Sequence, residues 1–192
     1  EAYYKTIEML KLVRIPVPEK VVRQYPHQLS GGMRQRVMIA IALACKPELL
    51  IADEPTTALD VTVEAQILEL ISELKEKLNS SVIMISHNLG VISEIADKVA
   101  VMYSGRIVEY GDSRSVFNEP RHPYTRGLLE AIPDINMDKR QKLKEIKGTV
   151  PRPGEITEGC RFNRRCNCTR KECMAEEPPI VQVGATLVRC WN

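Results

Sequence analysis

The apolar positions of this chain change period several times, and the changes mark its elements. Over residues 1–15, Ile7, Leu10 and Ile15 are among the apolar positions of an amphipathic helix that Pro16 and Pro18 end. A short helix follows to about Tyr25, then the loop Pro26-His27-Gln28-Leu29-Ser30-Gly31-Gly32. Met33, Val37, Ala40, Ile41 and Ala44 form a helical stripe, so the next helix is predicted to run to about Cys45. Leu49-Leu50-Ile51-Ala52 and Val82-Ile83-Met84-Ile85 are short continuous apolar runs, the pattern of buried parallel strands. Between them Val63, Ile67, Leu70, Ile71, Leu74 and Leu78 make the stripe of a long helix, with Asp60 as its expected N-cap. A helix over about Leu89–Ile95 comes next. Lys98–Tyr103, Ser104-Gly105 and Arg106–Tyr110 then read as a β-hairpin. One short helix is expected after Gly111, and another opens at Arg121-His122-Pro123-Tyr124 and runs to about Ile132. Beyond it the chain is punctuated by Pro and Gly, and no element is predicted there. Helices alternating with apolar strands indicate an α/β fold.

Composition narrows the function classes. With 44% hydrophobic and 27% charged residues the chain has the balance of a globular protein, and only 5% aromatics leaves most of the core to aliphatics. A net charge of +2 is too small for a dedicated nucleic-acid binder, which needs a concentrated basic surface. No apolar run approaches the roughly 20 residues of a membrane span. The chain opens on Glu1 and enters a helical pattern at once, from which a fragment of a longer protein is expected.

Four motifs carry chemistry. In Leu29-Ser30-Gly31-Gly32-Met33-Arg34-Gln35-Arg36 a loop closes into a helix start, where free backbone N–H groups and a partial positive charge attract anions. Ser30 can cap that helix or donate to a phosphate oxygen. The run Leu49–Ala52 ends in Asp53-Glu54-Pro55, two carboxylates at the C-terminal edge of a strand, where α/β sheets build their sites. Asp53 would hold Mg²⁺, directly or through water, and Glu54 would orient and deprotonate an attacking water; the plainer reading is a solvated acidic pair. Thr57-Ala58-Leu59-Asp60 follows. His87 ends the second strand in Ile85-Ser86-His87-Asn88, whereas His27 and His122 lack such a setting and are expected to be structural. No Gly-x-x-x-x-Gly-Lys-Ser/Thr phosphate loop occurs anywhere in the chain.

Together these motifs resemble the later part of an ABC-type P-loop ATPase. The octet from Leu29 looks like the signature motif, with Met33 where members often carry Gln; the strand ending in Asp53-Glu54 resembles the Walker B strand and catalytic glutamate; Thr57–Asp60 resembles the D-loop, and His87 the switch histidine that contacts the γ-phosphate. The resemblance implies cofactor-binding roles for Ser30, Gly31, Gly32, Gln35, Asp53 and Asp60, and catalytic roles for Glu54 and His87. Arg121-His122-Pro123-Tyr124-Thr125-Arg126-Gly127-Leu128 resembles the segment opening the C-terminal extension of oligopeptide/dipeptide transporter ATPases, a group whose relatives also import nickel and some sugars. The implied architecture is a helical signature segment (1–46), the C-terminal half of a RecA-like core (47–118) and a small Cys-rich extension (119–192). The implied function is an energy-coupling ATPase subunit of a peptide importer, using ATP with Mg²⁺. It would be peripheral on the cytoplasmic face of the membrane, paired with a second ATPase subunit and two permease subunits, and indirectly with an external peptide-binding protein. Without the phosphate loop, this chain alone is expected to be inactive. The alternatives are a metal- or redox-sensing module on a vestigial ATPase, and a non-transport ABC ATPase acting on DNA or ribosomes.

Five of the six cysteines fall in the last stretch: Cys160, Cys166, Cys168, Cys173 and Cys190. On a chain of α/β character such a cluster points to metal rather than disulfides. The spacings C-x5-C, C-x6-C and C-x16-C lack the paired knuckles of most zinc sites. The resemblance implies a [4Fe–4S] cluster on Cys160, Cys166, Cys173 and Cys190, with Zn²⁺ as the alternative and Cys168 spare; the plainer reading is unligated thiols or disulfides. Arg161, Arg164, Arg165 and Arg170 would offset its charge.

Overall fold

The computed structural model describes residues 1–132, 145–152, 154–155 and 158–192. They form two units, Glu1–Asn88 and Leu89–Asn192.

The first unit comprises helices α1 (Ala2–Leu12), α2 (Pro18–Val21) and α3 (Gly31–Leu43), strand β1 (Leu49–Asp53), helix α4 (Val61–Leu78) and strand β2 (Ser81–Ile85). Each predicted element of this stretch is present. α3 opens on Ser30, whose hydroxyl accepts from the Met33 amide at 3.3 Å. α4 opens on Asp60, whose carboxylate accepts from the Val63 amide at 3.0 Å. At its other end Asn79 takes the left-handed conformation that closes helices. The core lies among α1, α3 and α4, where Val13, Leu43, Ile67, Leu70, Ile71 and Leu74 are buried. Gly32 matters here as a packing residue: a Cβ at this position would come within 2.7 Å of Val63, so the glycine lets α3 settle on α4.

β1 and β2 pair in parallel, with Leu49 opposite Ser81, Ile51 opposite Ile83 and Asp53 opposite Ile85. The sequence reading of buried strands needs correction on one side. Leu50, Val82 and Met84 pack on the helical core, whereas Leu49, Ile51, Ile83 and Ile85 are all exposed. Alternation puts one set of side chains on each face of a strand, and the helices α3 and α4 cover one face.

The second unit holds α5 (Leu89–Ile95), the hairpin β3 (Lys98–Tyr103) and β4 (Arg106–Asp112), α6 (Ser113–Asn118), α7 (Pro123–Glu130), α8 (Lys171–Ala175), β5 (Val181–Val183) and β6 (Thr186–Val188). The hairpin turns on Ser104 and Gly105, both at positive φ as a tight two-residue connection requires. α8, β5 and β6 were not predicted. β5 and β6 extend the hairpin into an antiparallel sheet of order β3-β4-β6-β5, with Glu109 opposite Val188 and Gly111 opposite Thr186. The signal for this second hairpin was present in Val181-Gln182-Val183-Gly184-Ala185-Thr186-Leu187-Val188, an alternating pattern about a glycine. Val99, Val101, Tyr103, Val108, Val116 and Phe162 form the unit's core. Among the described residues no helix is long and apolar enough to cross a membrane.

Candidate functional site

The paired ends of β1 and β2 bring two of the predicted residues together. Glu54 directly follows β1 and donates its amide to the Ile85 carbonyl of β2 at 2.9 Å. This fixes it beside His87, two residues beyond β2. His87 Nδ1 lies 3.1 Å from Glu54 Oε1, and a carboxylate can only accept, so the imidazole donates. The Thr57 hydroxyl donates to the other oxygen, Oε2, at 2.8 Å. These bonds hold the Glu54 carboxyl below its usual range, the Thr57 bond contributing most and His87 next. Glu54 sits at φ +45°, a left-handed backbone for a residue that also precedes proline, and is therefore strained. Both side chains face solvent, Glu54 at 45% and His87 at 77% exposure.

The remaining predicted residues occupy separate places in the same unit. Asp53 ends β1 with an exposed side chain. Asp60 is committed to capping α4. Ser30 and Gly31 are exposed at the start of α3, with Gly32 and Gln35 half-buried behind them. Of the two threonines before the α4 cap, Thr56 donates to Glu64 Oε1 at 2.7 Å and Thr57 to Glu54. The sequence reading missed Thr57 as a partner of Glu54. Its only signal was a hydroxyl three residues after the carboxylate, the reach of a single turn.

In the second unit the Arg121-His122-Pro123-Tyr124 segment forms a helix cap around the buried His122. Glu109 of β4 is fully buried and accepts from the Arg121 amide at 2.7 Å and the His122 amide at 2.9 Å. His122, also buried, is the N-cap of α7 and accepts from the Tyr124 amide through Nδ1 at 3.1 Å. Pro123 fills the first helical position, where no amide is needed. Tyr124 joins Tyr103 and Phe162 in an aromatic cluster, with centroids 4.7 and 5.4 Å away. The expectation of a structural His122 fits this arrangement.

Burial lowers the His122 pKa from 6.5 to about 4; the nearby Arg126 charge adds to that, and a hydrogen bond with the Arg189 backbone opposes it. The native imidazole is therefore neutral where an unfolded one would take up a proton. Stability tied to His122 is complete above pH 6.5 and is lost as pH falls from there towards about 4. The full loss should be about 3 kcal/mol. Urea denaturation followed by the fluorescence of Trp191, the single tryptophan, should show this decline, and His122→Asn, which keeps a capping oxygen but does not titrate, should flatten it. Parallel declines in both proteins would contradict the assignment.

The expected four-cysteine metal centre is overturned. Among the described residues no group of three or more His, Cys, Asp or Glu side chains is arranged to hold a metal ion. Cys160, Cys166, Cys173 and Cys190 are instead free thiols used in packing and turns. Cys160 and Cys166 pack against the core around Phe162. Burial pushes the Cys160 thiol up to about 11 and raises Cys166. The sulfurs of Cys166, Cys173 and Cys190 accept from the amides of Cys168, Arg170 and Asn192 at 3.4, 3.5 and 3.4 Å. Gly159, at φ +74°, lets this loop approach α8: a Cβ there would lie 2.5 Å from the Cys173 carbonyl.

Comparison with known proteins gives two family matches. Residues 2–57 match the ABC transporter family, and residues 108–173 match the oligopeptide/dipeptide transporter C-terminal region. The chain is 51% identical over 193 residues to the oligopeptide transport ATP-binding protein AppD of Bacillus subtilis, covering 100% of this chain and 58% of that protein. It is 49% identical over 186 residues to the dipeptide transport ATP-binding protein DppD of Haemophilus influenzae, covering 97% and 56%. The chain thus spans less than two thirds of the length of these relatives. Among solved structures, the ATP-binding cassette MJ0796, a dimer in a post-hydrolysis state bound to ADP and Pi, matches with a TM-score of 0.50 and 32% identity over 58% of this chain and 47% of that one.

Proposed function

Because the chain belongs to the oligopeptide/dipeptide group of ABC-transporter ATP-binding proteins, we propose that its whole protein is the energy-coupling ATPase subunit of a peptide importer. The observation that carries the chemical part of this reading is the Glu54–His87 pair, 3.1 Å apart at the adjoining ends of two parallel strands. In this reading Glu54 orients and deprotonates the water that attacks the γ-phosphate, and His87 holds the Glu54 carboxylate while its far nitrogen faces the phosphate. The carboxylate, held below its usual range, stays ionised, which an acceptor of a proton requires. The donor set suits Mg²⁺ and phosphate. Asp53 is a hard oxygen ligand at a strand end, and Ser30, Gly31 and Gly32, with Gln35 one turn on, offer a helix start to an anion. When bound, Mg²⁺ would neutralise charge on the phosphates.

Two such subunits would sandwich ATP, each signature helix facing nucleotide held by the other, and their closing and opening would drive two permeases at the cytoplasmic face of the membrane. Residues 1–46, 47–118 and 119–192 would serve as signature segment, core and extension. The comparisons give no support to a sensing module or to a non-transport ATPase. The test is uptake of labelled di- and oligopeptides into membrane vesicles carrying the full-length protein with its permease. ATP-dependent peptide accumulation is expected. ATP hydrolysis with no peptide moved would sink the importer reading.

A further inference from the structure

We propose that Thr57 is a positioning residue for Glu54, its hydroxyl fixing the carboxylate in the plane from which it meets the attacking water. The inference rests on the reading of Glu54 as the water-activating group.

An exposed glutamate has three side-chain torsions and no packing to define them, so its carboxylate is poorly placed unless hydrogen bonds hold it. Here both oxygens are held, from two different elements: Oε2 by the Thr57 hydroxyl at 2.8 Å and Oε1 by His87 at 3.1 Å. Two bonds to the two oxygens define the plane of the group, which either alone would leave free to rotate. Each oxygen keeps a lone pair for a further donor, so the clamp does not block acceptance of a proton.

The backbone explains why Thr57 reaches. Glu54 is anchored to Ile85 of β2 through its amide, and its own carbonyl accepts from the Thr57 amide at 3.2 Å, closing one turn over Glu54-Pro55-Thr56-Thr57. The left-handed backbone at Glu54 directs the chain into this turn. The neighbouring threonine is used differently, since the Thr56 hydroxyl is spent on Glu64 of α4 at 2.7 Å. The two threonines are therefore not interchangeable.

The test is steady-state ATPase kinetics of the full-length subunit in its transporter complex. Thr57→Val keeps the shape and removes the hydroxyl, and should lower kcat about tenfold or more while KM for ATP stays within about twofold. Thr57→Ala should do the same, and Thr57→Ser, which restores the donor, should recover most of the rate. Thr56→Val should stay close to the starting enzyme. Adding Thr57→Val to Glu54→Gln should cost nothing further, because the clamp then has no general base to position. An inactive Glu54→Gln beside fully active Thr57→Val and Thr57→Ala overturns the positioning role and leaves the function standing. An active Glu54→Gln overturns the underlying reading instead. Failure of Thr57→Ser to recover the rate shows that the hydroxyl is not what matters, and overturns the proposal as well.

Discussion

Glu54→Gln in the full-length subunit should lower ATP turnover by about 10²–10⁴-fold while leaving ATP binding in place. Glutamine keeps the size of the side chain and can still meet the Thr57 and His87 groups, but it cannot take a proton from water. The effect should fall on kcat with little change in the nucleotide dissociation constant, because in the proposed mechanism Glu54 acts as a base rather than as a counter-charge to the phosphates. The variant should also accumulate in an ATP-bound closed form, since in the proposed cycle closure precedes hydrolysis and reopening follows it. Steady-state ATPase rates, with equilibrium binding of a fluorescent ATP analogue, measure both quantities. A rate within about threefold of the parent would assign water activation to another group.

The second large effect belongs to the other unit. Glu109→Leu should destabilise it by about 3 kcal/mol, because the buried His122 amide and the part-buried Arg121 amide both lose their acceptor. The carboxylate is fully buried and gives one oxygen to each amide, at 2.7 and 2.9 Å. Glu109→Gln keeps a single acceptor oxygen and should fall between the two. Urea denaturation followed at Trp191 gives the midpoints. A Glu109→Leu midpoint within about 1 kcal/mol of the parent would mean that water or other groups replace the carboxylate. The same bonds account for the His-Pro-Tyr segment physically. Its histidine caps the helix, its proline starts it, its tyrosine fills the aromatic core, and the amides in front of it are tied to the sheet.

Several features follow from the sequence alone. The apolar stripe of α4, the caps Ser30 and Asp60, the two parallel strands and the first hairpin depend on neighbours a few residues apart, and periodicity records such relations directly, whereas the stripe read for α3 is not its buried face: Ile41 and Ala44 are exposed, and Ile39, Ala40 and Leu43 are buried. The family, too, is carried by contiguous motifs. What only tertiary structure decided involves distance along the chain. That Glu54 is clamped on both oxygens required β1 and β2 to be paired in register, which brings His87 to one oxygen while the local turn to Thr57 holds the other. That Leu49, Ile51, Ile83 and Ile85 stand exposed could not be read from an apolar run, which is the same whether one face or both are covered. That the cysteines are not gathered into a metal centre among the described residues depended on where the fold places each of them. Glu109 looked like any strand glutamate. Its partners lie 12 and 13 residues further on, and only folding buries Glu109 with the His122 amide and so makes the bond between them obligatory.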